Sequence, residues 1–242
     1  MEKLKRIISD IIEFNQDPPE NIFIDVDKDN ITNIKALIIG PKGTPYEDGY
    51  YFFKIKMPND YPQSSPKVKF ETIDGKVRFN PNLYQCGKVC LSILGTWDGP
   101  SWTPANTLKS VLLSIQSLMS EFPIQNEPGY DRVLPTHDKS INYNYYVTFH
   151  KYRLAIIDFL NKNFKDYKCF DETIQKHFKE NYSNHLNNLL SLTQIFPIKQ
   201  EFTSPIYFIR GSFYVEYSII LNNLLKLDSN NKEKSKEMSD TI

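Results

Sequence analysis

Asn80-Pro81-Asn82-Leu83-Tyr84-Gln85-Cys86-Gly87-Lys88-Val89-Cys90-Leu91 is the stretch that decides how the rest of the chain is interpreted. It places the side-chain amide of Asn82 eight residues before the thiol of Cys90. The stretch thus pairs a thiol, whose thiolate form is a nucleophile, with a side-chain amide at a fixed short separation. The stretch contains no histidine to act as the base of a hydrolase. The pattern therefore favours a cysteine that carries an acyl group and passes it on, which requires a reachable thiol.

The residues before this stretch predict one helix followed by four strands. Apolar residues recur at helical spacing from Leu4 to Ile12, and Asp17-Pro18-Pro19 ends the pattern. Four runs rich in β-branched or alternating residues follow, separated by turn residues such as Asp48-Gly49. These runs are residues 22–26, 31–39, 50–57 and 67–70, which we expect to form an antiparallel meander.

The residues after the stretch predict mainly helices. Thr103 is expected to cap a helix that has Pro104 in its first turn and backs the sheet. From about Asn142 onward helical patterns dominate, and one of them runs from Phe213 to Leu224. We therefore expect an α+β fold with a catalytic core at residues 1–135, a helical extension packed on it at 136–227, and a disordered polar tail at 228–242.

The composition excludes several classes of function. The chain has 29 Lys and Arg against 29 Asp and Glu, and without a basic run it is a poor nucleic-acid binder. Its three cysteines indicate no disulfide framework and a reducing compartment, with Cys169 expected in the core. Cys86 and Cys90 lack the second ligand pair of a zinc site, so no metal is expected. No signal peptide or membrane span is evident, so we expect a cytoplasmic or nuclear protein with no membrane partner.

These features, in this order, resemble the ubiquitin-conjugating enzymes over about residues 1 to 135. The similarity rests on the opening helix, the meander, Tyr61-Pro62, Asn80-Pro81-Asn82, Cys90 and Trp102-Thr103-Pro104-Ala105. It is closest to the Z-type enzymes, which carry a C-terminal helical extension. The features typical of that type are the insertion Gly95-Thr96-Trp97-Asp98-Gly99-Pro100 and the segment Asn126-Glu127-Pro128-Gly129-Tyr130.

The resemblance implies a reaction and roles for the central residues. Cys90 would accept ubiquitin, or a ubiquitin-like modifier, from an activating enzyme as a thioester and transfer it to a substrate lysine, usually with a ligase. Asn82 matches the asparagine that helps with the oxyanion, although it can equally hold the loop through backbone hydrogen bonds. Asn80, before Pro81, replaces the histidine of most relatives and is expected to form a hydrogen bond in its place.

Three further residues have supporting roles implied by the same resemblance. Glu127, with Asn126, falls where many relatives carry an acid that orients the incoming ammonium group. The alternative is that Glu127 is an exposed loop acid. Ser92 stands where many relatives have aspartate, which puts the acceptor preference in doubt.

Partners of this family dock on the opening helix and on two loops. Lys3, Lys5 and Arg6 are candidates for contacting the activating enzyme, or else belong to a solvated helix face. The loops that face the ligase correspond to Gln63 and to Pro104-Ala105. No bound cofactor is implied, because the activating enzyme uses the ATP.

Two other functions remain open from the sequence. One is a non-catalytic module of the same fold that binds ubiquitin or a partner, although such inactive relatives lack the cysteine that is present here as Cys90. The other is a cysteine–histidine hydrolase whose histidine comes from elsewhere in the chain.

Overall fold

The main sheet is a four-stranded antiparallel meander that follows an N-terminal helix. The computed structural model describes residues 2–162, 165–206, 209 and 211–227. Helix α1 spans Glu2–Gln16. The strands β1 (Ile22–Val26), β2 (Asn33–Ile39), β3 (Tyr50–Lys56) and β4 (Lys67–Phe70) pair in chain order. The predicted meander is confirmed, and its strand limits agree with the alternation in the sequence to within two residues.

The sheet is buried on both faces along part of its length. Because side chains alternate between faces along a strand, Tyr51 and Tyr50 of β3 point to opposite sides. Tyr51 lies edge-on to Phe79, at 5.3 Å between ring centroids, on the side of the reactive stretch. On the other side Phe52 stacks on Phe159 of the C-terminal extension, at 4.1 Å. Burying both faces explains why β3 begins with four consecutive apolar or aromatic residues.

The helix that follows the reactive stretch begins later than predicted. Helix α2 spans Leu108–Ser117, and its N-cap is Thr107, whose side chain forms a capping box with Ser110. The expectation that Thr103 caps this helix with Pro104 in its first turn is wrong. The reason is that the Asn106 side chain accepts a hydrogen bond from the Thr103 amide at 2.9 Å and closes a separate turn.

The C-terminal extension contains helices and one β-hairpin. Helix α3 (Asp138–His150) continues through a π-helical segment (Lys151–Asp158) into α4 (Phe159–Lys162), and a 3-10 helix (Lys165–Phe170) leads into α5 (Asp171–Ile195). The hairpin consists of β5 (Gln200–Thr203) and β6 (Ser212–Val215). A last helix, α6, covers residues 217–227.

The predicted helix from Phe213 to Leu224 is confirmed only from residue 217 onward, as α6, because its first residue lies in the hairpin. Phe213 lies in β6 opposite Phe202, and their rings stack at 5.3 Å between centroids. Residues 212–215 alternate between exposed and buried, the period of a strand rather than of a helix. The predicted tail at 228–242 lies outside the described residues, and the predicted division of the chain at residue 135 stays a prediction.

Cys169 is exposed, so its predicted place in the core is wrong. It belongs to the 3-10 helix Lys165–Phe170, whose Tyr167 and Phe170 turn toward Phe52 of β3. Packing of those two rings leaves the cysteine between them facing outward. Within the part of the chain that the structure describes, no helix combines the length and apolar character needed to cross a bilayer.

Candidate active site

Cys90 and Asn82 are joined by a reciprocal pair of hydrogen bonds. The Cys90 amide donates to the Asn82 carbonyl oxygen at 2.9 Å, and Asn82 Nδ2 donates to the Cys90 carbonyl oxygen at 2.7 Å. The Asn82 residue is 4% exposed. Its side-chain amide therefore holds the backbone of the cysteine, as expected if Asn82 holds the loop through backbone hydrogen bonds. Nδ2 carries two protons and the Cys90 carbonyl takes one of them, so this geometry still allows a donor for an oxyanion.

Asn80 is a fully buried hydrogen-bonding centre behind the reactive segment. Its Oδ1 accepts from the Asn82 amide at 2.9 Å and from Asn126 Nδ2 at 3.3 Å. Its Nδ2 donates to the Tyr46 hydroxyl at 2.9 Å and to the Leu118 carbonyl oxygen at 2.7 Å. Asn80 thus ties the segment that carries Asn82 to the end of α2.

Pro81, between the two asparagines, is buried and anchored through its carbonyl oxygen. That oxygen accepts a hydrogen bond from Arg78 Nη2. The guanidinium group of Arg78 also lies 3.6 Å from the ring centroid of Tyr84. This cation–π contact holds the loop from its other side.

Thr96 is a site residue that the sequence reasoning missed. Its hydroxyl donates to the Val89 carbonyl oxygen at 2.7 Å and accepts from the Leu91 amide at 2.9 Å. These two residues flank Cys90, so one side chain fixes the backbone on both sides of the thiol. The sequence contained Thr96 only as part of an insertion, and no local pattern shows that its hydroxyl turns back toward the cysteine.

Cys90 is 1% exposed, so the expectation of a reachable thiol is not met in this conformation. The loop that follows the cysteine folds back next to it. Gly95 takes a left-handed conformation with φ 66° after the turn Ser92–Leu94. Gly99 then approaches Ser92 so closely that an added Cβ would lie 3.0 Å from Ser92 Cβ. Residues 95–101 are themselves exposed, so few buried contacts hold this loop.

Glu127 is 5% exposed, which rules out the alternative of an exposed loop acid. It follows the 3-10 turn Pro123–Asn126, and its amide donates to the Ile124 carbonyl oxygen at 3.0 Å. Its own carbonyl accepts from the Tyr130 amide at 2.9 Å, so backbone bonds on both sides keep it inside. Asn126 reaches the site directly through its bonds to Asn80 and Leu118.

The Arg6 side chain is partly exposed, at 25%, but its guanidinium group is bound to a loop instead of standing free on the helix face. Its Nη1 and Nη2 donate to the carbonyl oxygens of Pro104 and Asn106, each at 2.7 Å. Its Nε contacts Asp10 at 2.7 Å, and this hydrogen bond raises the pKa of the guanidinium. These bonds to the loop could not be predicted from the sequence, because Pro104 and Asn106 lie about a hundred residues from Arg6 along the chain.

The other residues assigned to partner binding lie at the surface. Lys5 and Gln63 are exposed, as are Pro104 and Ala105. Lys3 is partly exposed, and its ammonium group donates to Asn59 Oδ1 at 3.3 Å.

The site offers the thiol of Cys90 as a nucleophile. The backbone around it is fixed by the side-chain amide of Asn82 on one side and by the hydroxyl of Thr96 on the other. Such an arrangement suits formation and transfer of a thioester. In the described residues no group of three or more His, Cys, Asp or Glu side chains is placed to hold a metal ion.

Comparison with known proteins identifies the family of this chain. A family model described as "Ubiquitin-conjugating enzyme" matches residues 6–151. Ubiquitin-conjugating enzyme E2 Z of Xenopus tropicalis is 45% identical over 178 residues, covering 73% of this chain and 56% of that protein. The Homo sapiens protein of the same name is 44% identical over 180 residues, covering 74% and 51% respectively. Putative ubiquitin-conjugating enzyme E2 38 of Arabidopsis thaliana is 41% identical over 172 residues, covering 68% and 51%.

The chain therefore spans about half the length of these curated relatives. The family model covers more than half of the chain and includes all of the residues around Cys90 described above. The chain belongs to the ubiquitin-conjugating enzyme family.

Proposed function

We propose that this chain accepts ubiquitin, or a ubiquitin-like modifier, as a thioester on Cys90 and transfers it to a lysine of a substrate protein. The observation that carries the proposal is the reciprocal pair of hydrogen bonds between Cys90 and Asn82. It fixes a single thiol next to an amide donor, in a chain of the ubiquitin-conjugating family. An activating enzyme, which consumes the ATP, and a ligase are the proposed partners, and the proposed reaction on this chain needs no bound cofactor. The cytoplasm or nucleus is the proposed location.

The chemistry is two acyl transfers. In the first, the Cys90 thiolate attacks the thioester carbonyl, a new carbon–sulfur bond forms, and the thiolate of the activating enzyme leaves. In the second, the lysine amine attacks, a carbon–nitrogen bond forms, and Cys90 leaves as its thiolate. The proton released by the amine passes to water or to the departing sulfur. Each step passes through an oxyanion, and the remaining Asn82 Nδ2 proton is the proposed donor to the oxyanion of the second step, when the lysine attacks.

Charging requires a conformation in which the thiol is uncovered. The exposed loop at residues 95–101 is the element proposed to move, because displacing it exposes few buried groups. Thr96 holds the loop in the closed position through the backbone on both sides of Cys90. Docking of the modifier and its activating enzyme would supply the free energy that breaks these bonds.

A charging assay tests the function. Activating enzyme, modifier and ATP are expected to give an adduct that a thiol reductant cleaves. Cys90→Ala should abolish the adduct, and Cys90→Ser should give a reductant-resistant ester. The exposed thiols offer matched controls, since Cys86→Ala and Cys169→Ala should charge normally. An adduct that survives in Cys90→Ala would place the acyl group elsewhere.

The burial of Cys90 favours one second candidate, a binding module of the same fold that performs no transfer. The two functions differ in thiol reactivity. If the loop opens, iodoacetamide should label Cys90 more slowly than Cys86 but to completion in the folded protein. If Cys90 is labelled only after unfolding, and no activating enzyme charges the chain, the binding module is the correct function.

A further inference from the structure

The face of the main sheet that carries Tyr50 and Phe52 continues as a cluster of lysines. The register places Lys35 of β2 opposite Lys54 of β3, and Lys54 opposite Lys69 of β4. Two residues further along β3, and on the same face, Lys56 lies opposite Lys67 of β4. Neighbouring strands are about 5 Å apart and alternate residues of one strand are roughly 7 Å apart. Five ammonium-bearing side chains therefore start from a patch of roughly 10 by 7 Å.

This patch lines a groove with a volume of about 720 Å³. Its cationic lining consists of Lys28, Lys35, Lys54, Lys56, Lys67 and Lys69. The carboxylates in the lining are Asp25 and Asp27, and Glu71 contacts the Lys69 ammonium group at 2.8 Å. The positive charges therefore outnumber the negative ones locally, in a chain whose formal net charge is zero.

Like charges placed directly opposite each other destabilise a sheet. The row through Lys35, Lys54 and Lys69 has two such pairs, and the row of Lys56 and Lys67 has a third. Folding alone does not require them, because any polar residue suits an exposed strand position. A bound anion would turn this repulsion into attraction.

The C-terminal extension limits the groove on one side. Phe159 and Tyr167 cover Phe52, the residue two positions before Lys54 on the same face. The Lys35 ammonium group then lies 5.8 Å from the ring centroid of Tyr167. The extension thus covers the apolar part of this face and leaves the lysine part open as a concave surface.

We propose that this groove binds a compact anion that carries several phosphate groups. Its volume lies within the range of small-molecule sites, which is roughly 300–1,000 Å³. Lysine ammonium groups are point charges that suit phosphate oxygens approaching from many directions. The side chains that line the groove include no aromatic ring on which bases could stack, which argues against single-stranded nucleic acid. The inference needs no catalytic activity and is independent of the function of Cys90.

Calorimetric titration of the chain with inositol hexakisphosphate tests the site. Binding is expected at about 0.15 M ionic strength and should weaken as salt is added. Lys54→Gln should weaken it about threefold, and Lys54→Gln combined with Lys67→Gln roughly tenfold. Because Lys54→Gln removes two like-charge pairs and Lys67→Gln removes one, the melting temperature of the unliganded variants should equal or exceed that of the wild type. Lys42→Gln, at an exposed loop position away from the sheet face, is the matched control.

The same titrations can also refute the proposed anion site. The proposal fails if the wild type does not bind inositol hexakisphosphate, or if Lys42→Gln weakens binding as much as Lys54→Gln does. It also fails if a single-stranded oligonucleotide binds more tightly than the inositol phosphate. Vesicles that contain a phosphorylated inositol lipid distinguish the two sources of such an anion. Cosedimentation that Lys54→Gln reduces identifies a lipid headgroup, and binding of the free anion without cosedimentation identifies a soluble ligand.

Discussion

Replacing Asn80 by alanine should destabilise the protein and disturb the reactive segment at the same time. Asn80 is fully buried, and its amide has four hydrogen-bond partners. The cost of the substitution depends on which of these partners is left without another bond. A buried polar group that loses its last partner costs about 1–3 kcal/mol, whereas one that keeps a second partner costs much less.

Three of the four partners keep a bond. The Tyr46 hydroxyl still donates to the Phe79 carbonyl oxygen at 2.7 Å. The Leu118 carbonyl oxygen and Asn126 Nδ2 still bond each other at 3.0 Å. The Asn82 amide is the group that loses its partner, and it lies in the segment that holds Cys90. We therefore expect Asn80→Ala to lower the free energy of unfolding by about 3 kcal/mol, from this unpaired amide and the lost bonds together.

Urea unfolding of Asn80→Ala and Asn126→Ala, with the wild type, measures this difference. Asn126→Ala leaves Leu118 and Asn80 bonded to other groups, so it should cost about 1 kcal/mol or less. In single-turnover assays, Asn80→Ala should slow discharge to lysine more than charging, because the displaced Asn82 serves the second transfer. Equal losses of stability in the two variants would refute this account of the hydrogen bonds.

Three other predictions concern separate parts of the chain. Thr96→Val keeps the shape of the side chain but removes its hydroxyl bonds, so it should cost less than about 1 kcal/mol of stability and speed alkylation of Cys90, while Thr96→Ser should behave as wild type. Similar alkylation rates in the two variants would show that the hydroxyl does not hold the loop. Burial lowers the pKa of His150 to about 3 and that of His185 to about 4, so on acidification these histidines take up protons in the unfolded chain before they do so in the folded protein. The free energy of unfolding should therefore fall as the pH drops from about 6.5 to 4, and a urea midpoint that stays constant across this range would contradict the prediction. Arg6→Lys keeps the charge, but a lysine cannot donate to the carbonyl oxygens of Pro104 and Asn106 at once, so the variant should lose about 1–2 kcal/mol of stability and its loop should be cleaved faster by a protease. An unchanged rate of cleavage would count against this role of the guanidinium group.

The parts of the fold that the sequence predicted are those with strong local periodicity. The strands β1 and β4 were predicted with their observed limits, because alternation and turn residues act over a few positions. The start of α2 was wrong because two capping residues, Thr103 and Thr107, compete, and only the turn closed by Asn106 decides between them. The hairpin at Phe213 was missed because its strands are four residues long and are stabilised by rings far along the chain, such as Tyr146.

The site divides in the same way. Asn82 and Cys90 were found because their spacing is local, and the structure joins them by two hydrogen bonds. The buried position of Glu127 and the internal bonds of Arg6 were not predictable, because they depend on contacts between distant segments. The lysines of β2, β3 and β4 were visible in the sequence, but the register that places them side by side was not.

The burial of Cys90 itself indicates from which side an acyl group can reach the thiol. On one side the cysteine is bonded to Asn82, which is 4% exposed, and separating them would leave buried groups without partners, at about 1–3 kcal/mol each. On the other side Thr96 is exposed, so water can replace the bonds that its hydroxyl makes. Opening on the Thr96 side therefore costs less free energy than opening on the Asn82 side. The modifier should consequently enter over the loop at residues 95–101, past Ser92, and substitutions in that loop should change charging more than stability.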